Sequence, residues 1–297
     1  MLPEVSLRRG AKRLVVRSLS SPLGGSVTVG WGLSRALKLD YGPLGEGPFG
    51  QGGARAASCF SIDFDVTEAS RYEANSRGTF ALLELAARYD IPITWAVCGK
   101  AAEEDRRAFS AILDASGRDE VGVHTYSHID ASRATKDEFR ADVERCKKTL
   151  GVDSPLTFIF PWNREAHFDV LRDLGFRCFR GARRAMGVPV MKEGLLNIRP
   201  VYYIDEKSVG AGRLLKSYVD LAIARSSVFH LWSHPWSLVA GGGAEPLMDT
   251  LEDLFEHLAA RRTEHALSTM TMGGVSTLVE SRAPSPAAVR QEVHPAD

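Results

Sequence analysis

From residue 57 onward the chain alternates short apolar runs with amphipathic stretches. Residues 57–62 read as a strand. Residues 78–89 read as a helix, with Phe80, Leu83 and Ala87 at helical spacing. The alternation continues as strand 93–97, helix 105–115, strand 120–124, helix 136–150, strand 156–160, helix 166–174 and strand 176–179. A strand at 228–232, a helix at 246–260 and a strand at 266–272 end the series. Strand followed by helix, repeated in this way, predicts a parallel sheet covered by helices, an α/β fold. A closed or nearly closed barrel and an open doubly wound sheet both fit that order.

Gly and Pro crowd residues 42–53, which predicts a loop ahead of the main domain. The stretch 281–297, rich in Pro, Ala and charge, is expected to fray. The chain thus divides into an N-terminal extension and loop (1–53), a main domain (54–280) and a tail (281–297). Its 297 residues are ample for a sizeable core. Hydrophobic residues make up 44% and charged residues 25%, as in ordinary globular proteins. Lys plus Arg equals Asp plus Glu, at 37 each, so charge gives no reason to expect a nucleic-acid partner. The basic run 6–19 contains Leu7, Leu14, Val15, Val16 and Leu19. It reads as a solvated helix rather than a membrane anchor, because Gly10 weakens it and its apolar face is short. No apolar stretch suggests a signal peptide or a membrane span, so a cytoplasmic location is expected. Cys59, Cys98 and Cys178 sit in apolar, strand-like runs, and with Cys146 they form no Cys-x-x-Cys pair. Small buried hydrophobes in a reducing compartment are expected, not disulfides.

Four segments from distant parts of the chain place reactive side chains just after a predicted strand. They are Asp63 with Asp65, His124 with His128, residues 161–164, and His234. In parallel α/β folds that end of the sheet carries the active site. On a strand Asp63 and Asp65 share a face, and two carboxylates on one face repel unless a cation lies between them. In His124-Thr125-Tyr126-Ser127-His128 the imidazoles are four residues apart and converge if the chain turns helically after the strand. Two imidazoles and a carboxylate match the ligand set of catalytic zinc sites, which leave one position for water.

These motifs resemble those of the polysaccharide deacetylases, carbohydrate esterase family 4. Members carry a strand ending in an Asp pair, a His-Ser/Thr-x-x-His motif, an Arg-x-Pro-aromatic motif and a late strand ending near a His. The resemblance covers roughly residues 57–274. It implies a distorted (β/α) barrel with fewer than eight strands. It also implies that Asp65, His124 and His128 bind a divalent metal, zinc in the first instance, with cobalt, nickel or manganese as alternatives. Asp63 would then be the base acting on the water that the metal activates, and His234 the acid that protonates the leaving amine. His230, four residues earlier, is expected to be a buried partner. One motif departs from the family. Ile159-Phe160-Pro161-Trp162 lacks the arginine that orients the catalytic Asp. Asn163, Arg164, Arg180 and Arg183 are the candidates to replace it.

The implied reaction removes an N-acyl group, N-acetyl in the first instance, from an amino sugar or glycoconjugate. The substrate is a small molecule or oligosaccharide. Trp162 and Trp236, in loops beside the proposed chemistry, together with Asn163, Arg164 and Arg180, are expected to line the substrate site. Trp95 is expected in the core. A backbone N–H near Trp162 could help stabilise the oxyanion. Arg177, Arg180, Arg183 and Arg184 form a basic cluster that would suit an anionic sugar. Two rival readings are an amidase for a small non-sugar amide, using the same site, and a non-catalytic carbohydrate-binding homologue.

Overall fold

The structure is a computed structural model, and it describes residues 40–41, 54–65, 71–239 and 245–282. The basic run 6–19, most of the N-terminal extension and the tail beyond residue 282 lie outside the described residues.

The chain builds β1 (Ala56–Phe64), α1 (Tyr72–Tyr89), β2 (Ile93–Val97), α2 (Gly99–Glu104) and α3 (Arg106–Asp114). It continues as β3 (Glu120–Val123), α4 (Lys136–Leu150), β4 (Thr157–Ile159), α5 (Phe168–Asp173) and β5 (Cys178–Arg180). Three short strands follow, β6 (Val190–Lys192), β7 (Leu195–Asn197) and β8 (Tyr202–Tyr203). The last elements are α6 (Gly212–Ala224), β9 (Val228–Ser233), α7 (Pro235–Leu238), α8 (Glu245–Thr263), β10 (Leu267–Thr269) and α9 (Met272–Arg282). Asp40–Tyr41 and Ala185–Met186 pair as a separate two-stranded ribbon.

The main sheet runs β8-β9-β1-β2-β3-β4-β5-β7-β6, with β10 against the first half of β1. Every pairing is parallel except β6 with β7. The sheet curls into a partial barrel, as the family resemblance implied. Among the described residues it has ten strands, not fewer than eight. The excess comes from β6, β7 and β8, each two or three residues long.

Strand parity explains what fills the barrel. All nine residues of β1 are buried, because helices cover one face and the barrel interior lies on the other. Phe60, Ile62 and Phe64 join the large cluster beneath the helices, with Ile93, Trp95, Phe158, Phe179, Phe229 and Leu231. Ala57 and Cys59 point the opposite way, into a small cluster with Ala96, Ile159, Cys178, Val228 and Met272. Two residues further along the same row come Ser61 and Asp63, at the carboxyl end of the strand. The same succession holds on β9, where Val228 is followed by His230 and Trp232. The interior is therefore apolar at its floor and polar at its mouth. Trp95 is fully buried, as expected, and its indole N–H donates to Asp119 Oδ2 at 2.9 Å. All four cysteines are buried free thiols.

Helix α4 is delimited by its own sequence, with a Thr135–Glu138 capping box at its start and Gly151 (φ 68°) at its end. Helix α1 begins at Tyr72, one and a half turns before the sequence pattern showed it. Its Gly78 is required by contact: a Cβ there would lie 2.0 Å from the Pro235 carbonyl oxygen. That close approach seats α7, and with it His234, against α1. Helices α6 and α9 were not foreseen. Met272 opens α9 instead of ending a strand. Gly273 and Gly274 disfavour a helix there, but tertiary bonds start it. The Met272 N–H donates to Thr94 Oγ1 at 2.8 Å and the Gly273 N–H to Glu120 Oε2 at 2.9 Å.

Candidate metal centre

Asp65, His124 and His128 meet at the barrel mouth, with one ligand atom from each within 4.8 Å of the others. His128 Nε2 lies 3.0 Å and His124 Nε2 3.7 Å from Asp65 Oδ2. Ligands held about 2.0–2.2 Å from a tetrahedral ion stand a little over 3 Å apart, so these separations fit a shared cation. The donor chemistry fits as well. His124 Nδ1 donates to the Ile159 carbonyl at 2.8 Å, which leaves the Nε2 lone pair facing the centre. That Nε2 is buried and has no hydrogen-bond partner. A buried imidazole nitrogen without a partner is costly unless something positive completes it.

The histidine pair does not lie on a helical turn, contrary to the sequence expectation. It spans a loop in which Thr125 (φ 62°) and His128 (φ 59°) take left-handed backbone conformations. For a β-branched threonine such a conformation is strained, so the surroundings must hold it. The first N–H groups of α2 do so: Gly99 donates to the Thr125 carbonyl at 3.0 Å and Lys100 to the Tyr126 carbonyl at 2.9 Å. On the other side Asp142 of α4 accepts from the Tyr126 N–H at 2.6 Å, the Ser127 N–H at 3.2 Å and the Ser127 hydroxyl at 2.5 Å. Asp142 carried no motif that could have marked it in the sequence.

Asp63 lies beside the triad, and its charge is met by Arg180. The guanidinium donates from Nη1 to Oδ1 at 2.6 Å and from Nη2 to Oδ2 at 2.5 Å. Burial alone would raise the Asp63 pKa, but Arg180, with His124 and His234 nearby, holds it below the usual carboxylate range. Asp65 is lower still. There too burial pulls upward, and the histidines around it outweigh it. His124 is raised despite its burial, because Asp65 and Asp63 favour its charged form.

Arg180, expected either to line the substrate site or to replace the motif arginine, is 1% exposed and committed to Asp63. From β5 it makes the contact with Asp63 for which a substitute arginine was sought. Its guanidinium stacks 4.0 Å over the Trp232 ring, and Nη2 reaches Asn163 Oδ1 at 3.5 Å. Arg164 points elsewhere, to an ion pair with Asp130. Arg177, just before β5, is on the surface 3.8 Å from Glu280, and Arg180 is buried, so the arginines of residues 177–184 do not form one basic patch.

His234 Nε2 sits 3.9 Å from Asp63 Oδ2 and 3.8 Å from Asp65 Oδ2. Its Nδ1 is 3.1 Å from the Tyr203 hydroxyl, which lies 3.0 Å from Ser237 Oγ. Burial lowers the His234 pKa more than the two carboxylates raise it. Tyr203 was missed by sequence reading because it belongs to a two-residue strand with no local signature. Trp236 stacks on His234, ring centroids 4.7 Å apart, and Arg71 covers its other face at 4.1 Å. Trp162 is 58% exposed and sets its edge against His128 at 4.8 Å. Its backbone is left-handed (φ 58°), as is that of Asn163 (φ 53°). His230 is fully buried, as expected of it.

Among known proteins, the family model described as polysaccharide deacetylase matches residues 53–176. The resemblance seen in the motifs holds over that stretch, and the match supports deacetylase chemistry in general. No curated protein sequence matches the chain. Solved structures share the fold at low identity. A protein from Pseudomonas aeruginosa PAO1, named a probable polysaccharide deacetylase, aligns with TM-score 0.64 and 15% identity over 80% of this chain and 95% of its own. One from Mycobacterium smegmatis, assigned to the polysaccharide deacetylases, gives 0.61 and 16% over 83% and 96%. The PuuE allantoinase gives 0.64 and 15% over 80% and 94%. No described helix is long and apolar enough to cross a membrane.

Proposed function

We propose, from the premise that residues 53–176 are polysaccharide-deacetylase sequence, that this chain is a metal-dependent hydrolase removing an N-acyl group, N-acetyl in the first instance, from an amino sugar or glycoconjugate. The observation that carries this reading is the convergence of five side chains from three strand ends. Asp65, His124 and His128 stand as a ligand set, with Asp63 and His234 on one side of it.

Asp65, His124 and His128 would hold the cation. Zinc is the first choice, and cobalt, nickel and manganese accept the same donors. A divalent ion there supplies Lewis acidity, polarising an amide carbonyl and making water a nucleophile near neutral pH. The protein's own groups move the protons. Asp63, ionised and held by Arg180, takes a proton from the attacking water. His234 presents Nε2 to the same space, because Nδ1 is engaged by Tyr203, and it delivers a proton to the departing nitrogen. Trp162, exposed at the rim, offers a ring face to a sugar, and Trp236, held between His234 and Arg71, borders the same space.

The test is elemental analysis of the purified protein together with acetate release from N-acetylated sugar oligomers. One bound divalent ion and acetate release from an oligomer support the reading. Acetate release only from simple amides moves the substrate to a small non-sugar amide. That second reading draws on the neighbour named an allantoinase. No turnover of either class by metal-loaded protein rejects both.

A further inference from the structure

His230 on β9 and His234, in the extended residue just after it, face the same way, yet only His234 reaches the candidate centre. His230 lies two repeats of the pleat deeper and is fully buried. Its neighbours leave each polar group a single role. Nδ1 is 3.1 Å from the Ile198 carbonyl, which can only accept, so Nδ1 carries the hydrogen. Burial, reinforced by the positive charge of Arg180, pushes the His230 pKa down to about 3, so Nε2 keeps its lone pair at neutral pH. Ser61 Oγ is 2.9 Å from that Nε2, and its only proton must be donated there. The Ser61 lone pairs are then left for Arg180 Nη1, 3.2 Å away. Arg180 in turn grips both oxygens of Asp63.

We propose that His230 and Ser61 are positioning residues, which fix the rotation of the Arg180 guanidinium and through it the plane of the Asp63 carboxylate. The inference rests on the reading of Asp63 as base. The other tautomer breaks the array. A hydrogen on Nε2 would set the Nδ1 lone pair against a carbonyl oxygen and leave the Ser61 proton without this acceptor. One hydrogen-bond direction therefore runs through the whole set. The Trp232 ring fixes the guanidinium plane from one face at 4.0 Å. It does not fix the fork within that plane, since a ring face grips a cation without a directional hydrogen bond. The Ser61 contact supplies that direction.

The experiment has a spectroscopic arm and a kinetic arm. Histidine ¹⁵N spectra of the metal-free protein are expected to show His230 protonated at Nδ1 and bare at Nε2, unchanged between about pH 5 and 8. A proton on Nε2, or a second charge appearing on the ring in that window, overturns the proposal. In the kinetic arm, Ser61→Ala removes one atom of the array and is the mildest variant. With an N-acetylglucosamine trimer as probe, it is expected to lower kcat about 10- to 100-fold while KM and bound metal stay within about twofold. His230→Gln, which can still accept from Ser61, is expected to retain more activity than His230→Leu. In an Arg180→Ala background, Ser61→Ala is expected to change kcat by less than about twofold, because its route to Asp63 is gone. A KM rise matching the kcat loss, or an undiminished effect in that background, overturns the proposal. Wild-type protein that releases no acetate rejects the deacetylase reading instead, and the spectra still decide the hydrogen-bond direction.

Discussion

Arg180 holds both oxygens of Asp63, at 2.6 and 2.5 Å, across 117 residues of sequence. Both side chains are almost fully buried, at 1% and 4% exposure. Neither charge is tolerable alone in that setting, and each makes the other possible. The fork also orients the carboxylate, since two parallel N–H···O bonds fix its plane. A lysine would supply the charge without the plane.

Arg180→Lys is accordingly expected to bind metal as wild type does and to lose about 10²-fold in kcat from a misplaced carboxylate. Arg180→Ala leaves Asp63 uncompensated and is expected to cost about 3–5 kcal/mol of stability. Steady-state kinetics, metal analysis and thermal unfolding separate the two effects. A fully active Lys variant would show that charge alone suffices.

Asp63 and Asp65 are two residues apart, yet their surroundings differ, and the proposed function gives them different work. Asp65 Oδ2 faces His128 at 3.0 Å, whereas both Asp63 oxygens are taken by Arg180. Asp63→Asn is expected to keep its metal and lose turnover by about 10²–10⁴-fold. Asp65→Ala is expected to lose metal affinity as well. Equal metal content in the two purified variants contradicts this division.

Much of this site was legible in the chain. Asp63, Asp65, His124, His128 and His234 all follow apolar runs, and a parallel sheet gathers such positions at one end. The two-residue spacing of the aspartates carried over directly, because strand parity is local. What replaced the missing arginine was not legible. Four polar residues were available after β4 and β5, and only the inward parity of β5, with Cys178 and Arg180 on one row, selects Arg180. The histidine loop was misread as helical because four-residue spacing is ambiguous; left-handed Thr125 and His128 achieve the same convergence. The sheet ran beyond the expected strand count because strands of two or three residues carry no period to read. Helix α9 is held at its start by Thr94 and Glu120, contacts that local propensity does not contain.

That loop yields a prediction of its own. Asp142 alone accepts from two backbone N–H groups and a hydroxyl of residues 126 and 127, next to His128. Asp142→Ala is expected to weaken metal affinity about 10- to 100-fold without removing a ligand, as the loss of outer partners commonly does. Competition against a chelating dye measures it. Unchanged affinity would mean that the α2 contacts hold the loop unaided.

The Asp63–Arg180 pair also fixes the sign of one pH effect. In the folded protein the Asp63 carboxyl lies below its ordinary value of about 3.9, so as acid is added the unfolded chain takes its proton first. The pair's contribution is fully present above about pH 5 and fades as pH falls through the folded value. Metal-free wild-type protein is therefore expected to lose stability more steeply below about pH 5 than metal-free Asp63→Asn. Denaturant titrations at several pH values give the two slopes, and parallel slopes would refute the assignment.

Tyr203 offers the last test, because it separates orienting His234 from packing against it. Its hydroxyl touches Nδ1 at 3.1 Å and Ser237 at 3.0 Å, while its ring lies 4.4 Å from that of Trp232. Burial raises its pKa, so the phenol stays protonated through the neutral range. Tyr203→Phe keeps the ring and removes the hydroxyl. Nδ1 then loses its partner, and the imidazole gains freedom to turn Nε2 away from the space beside Asp63. A loss of about 10-fold in kcat is expected, against about 10²–10⁴-fold for His234→Ala, which removes the acid altogether. Both variants should keep their metal, since neither residue is among the proposed ligands. Full activity in Tyr203→Phe would mean that ring packing by Trp236 and Trp232 orients the imidazole without the hydroxyl.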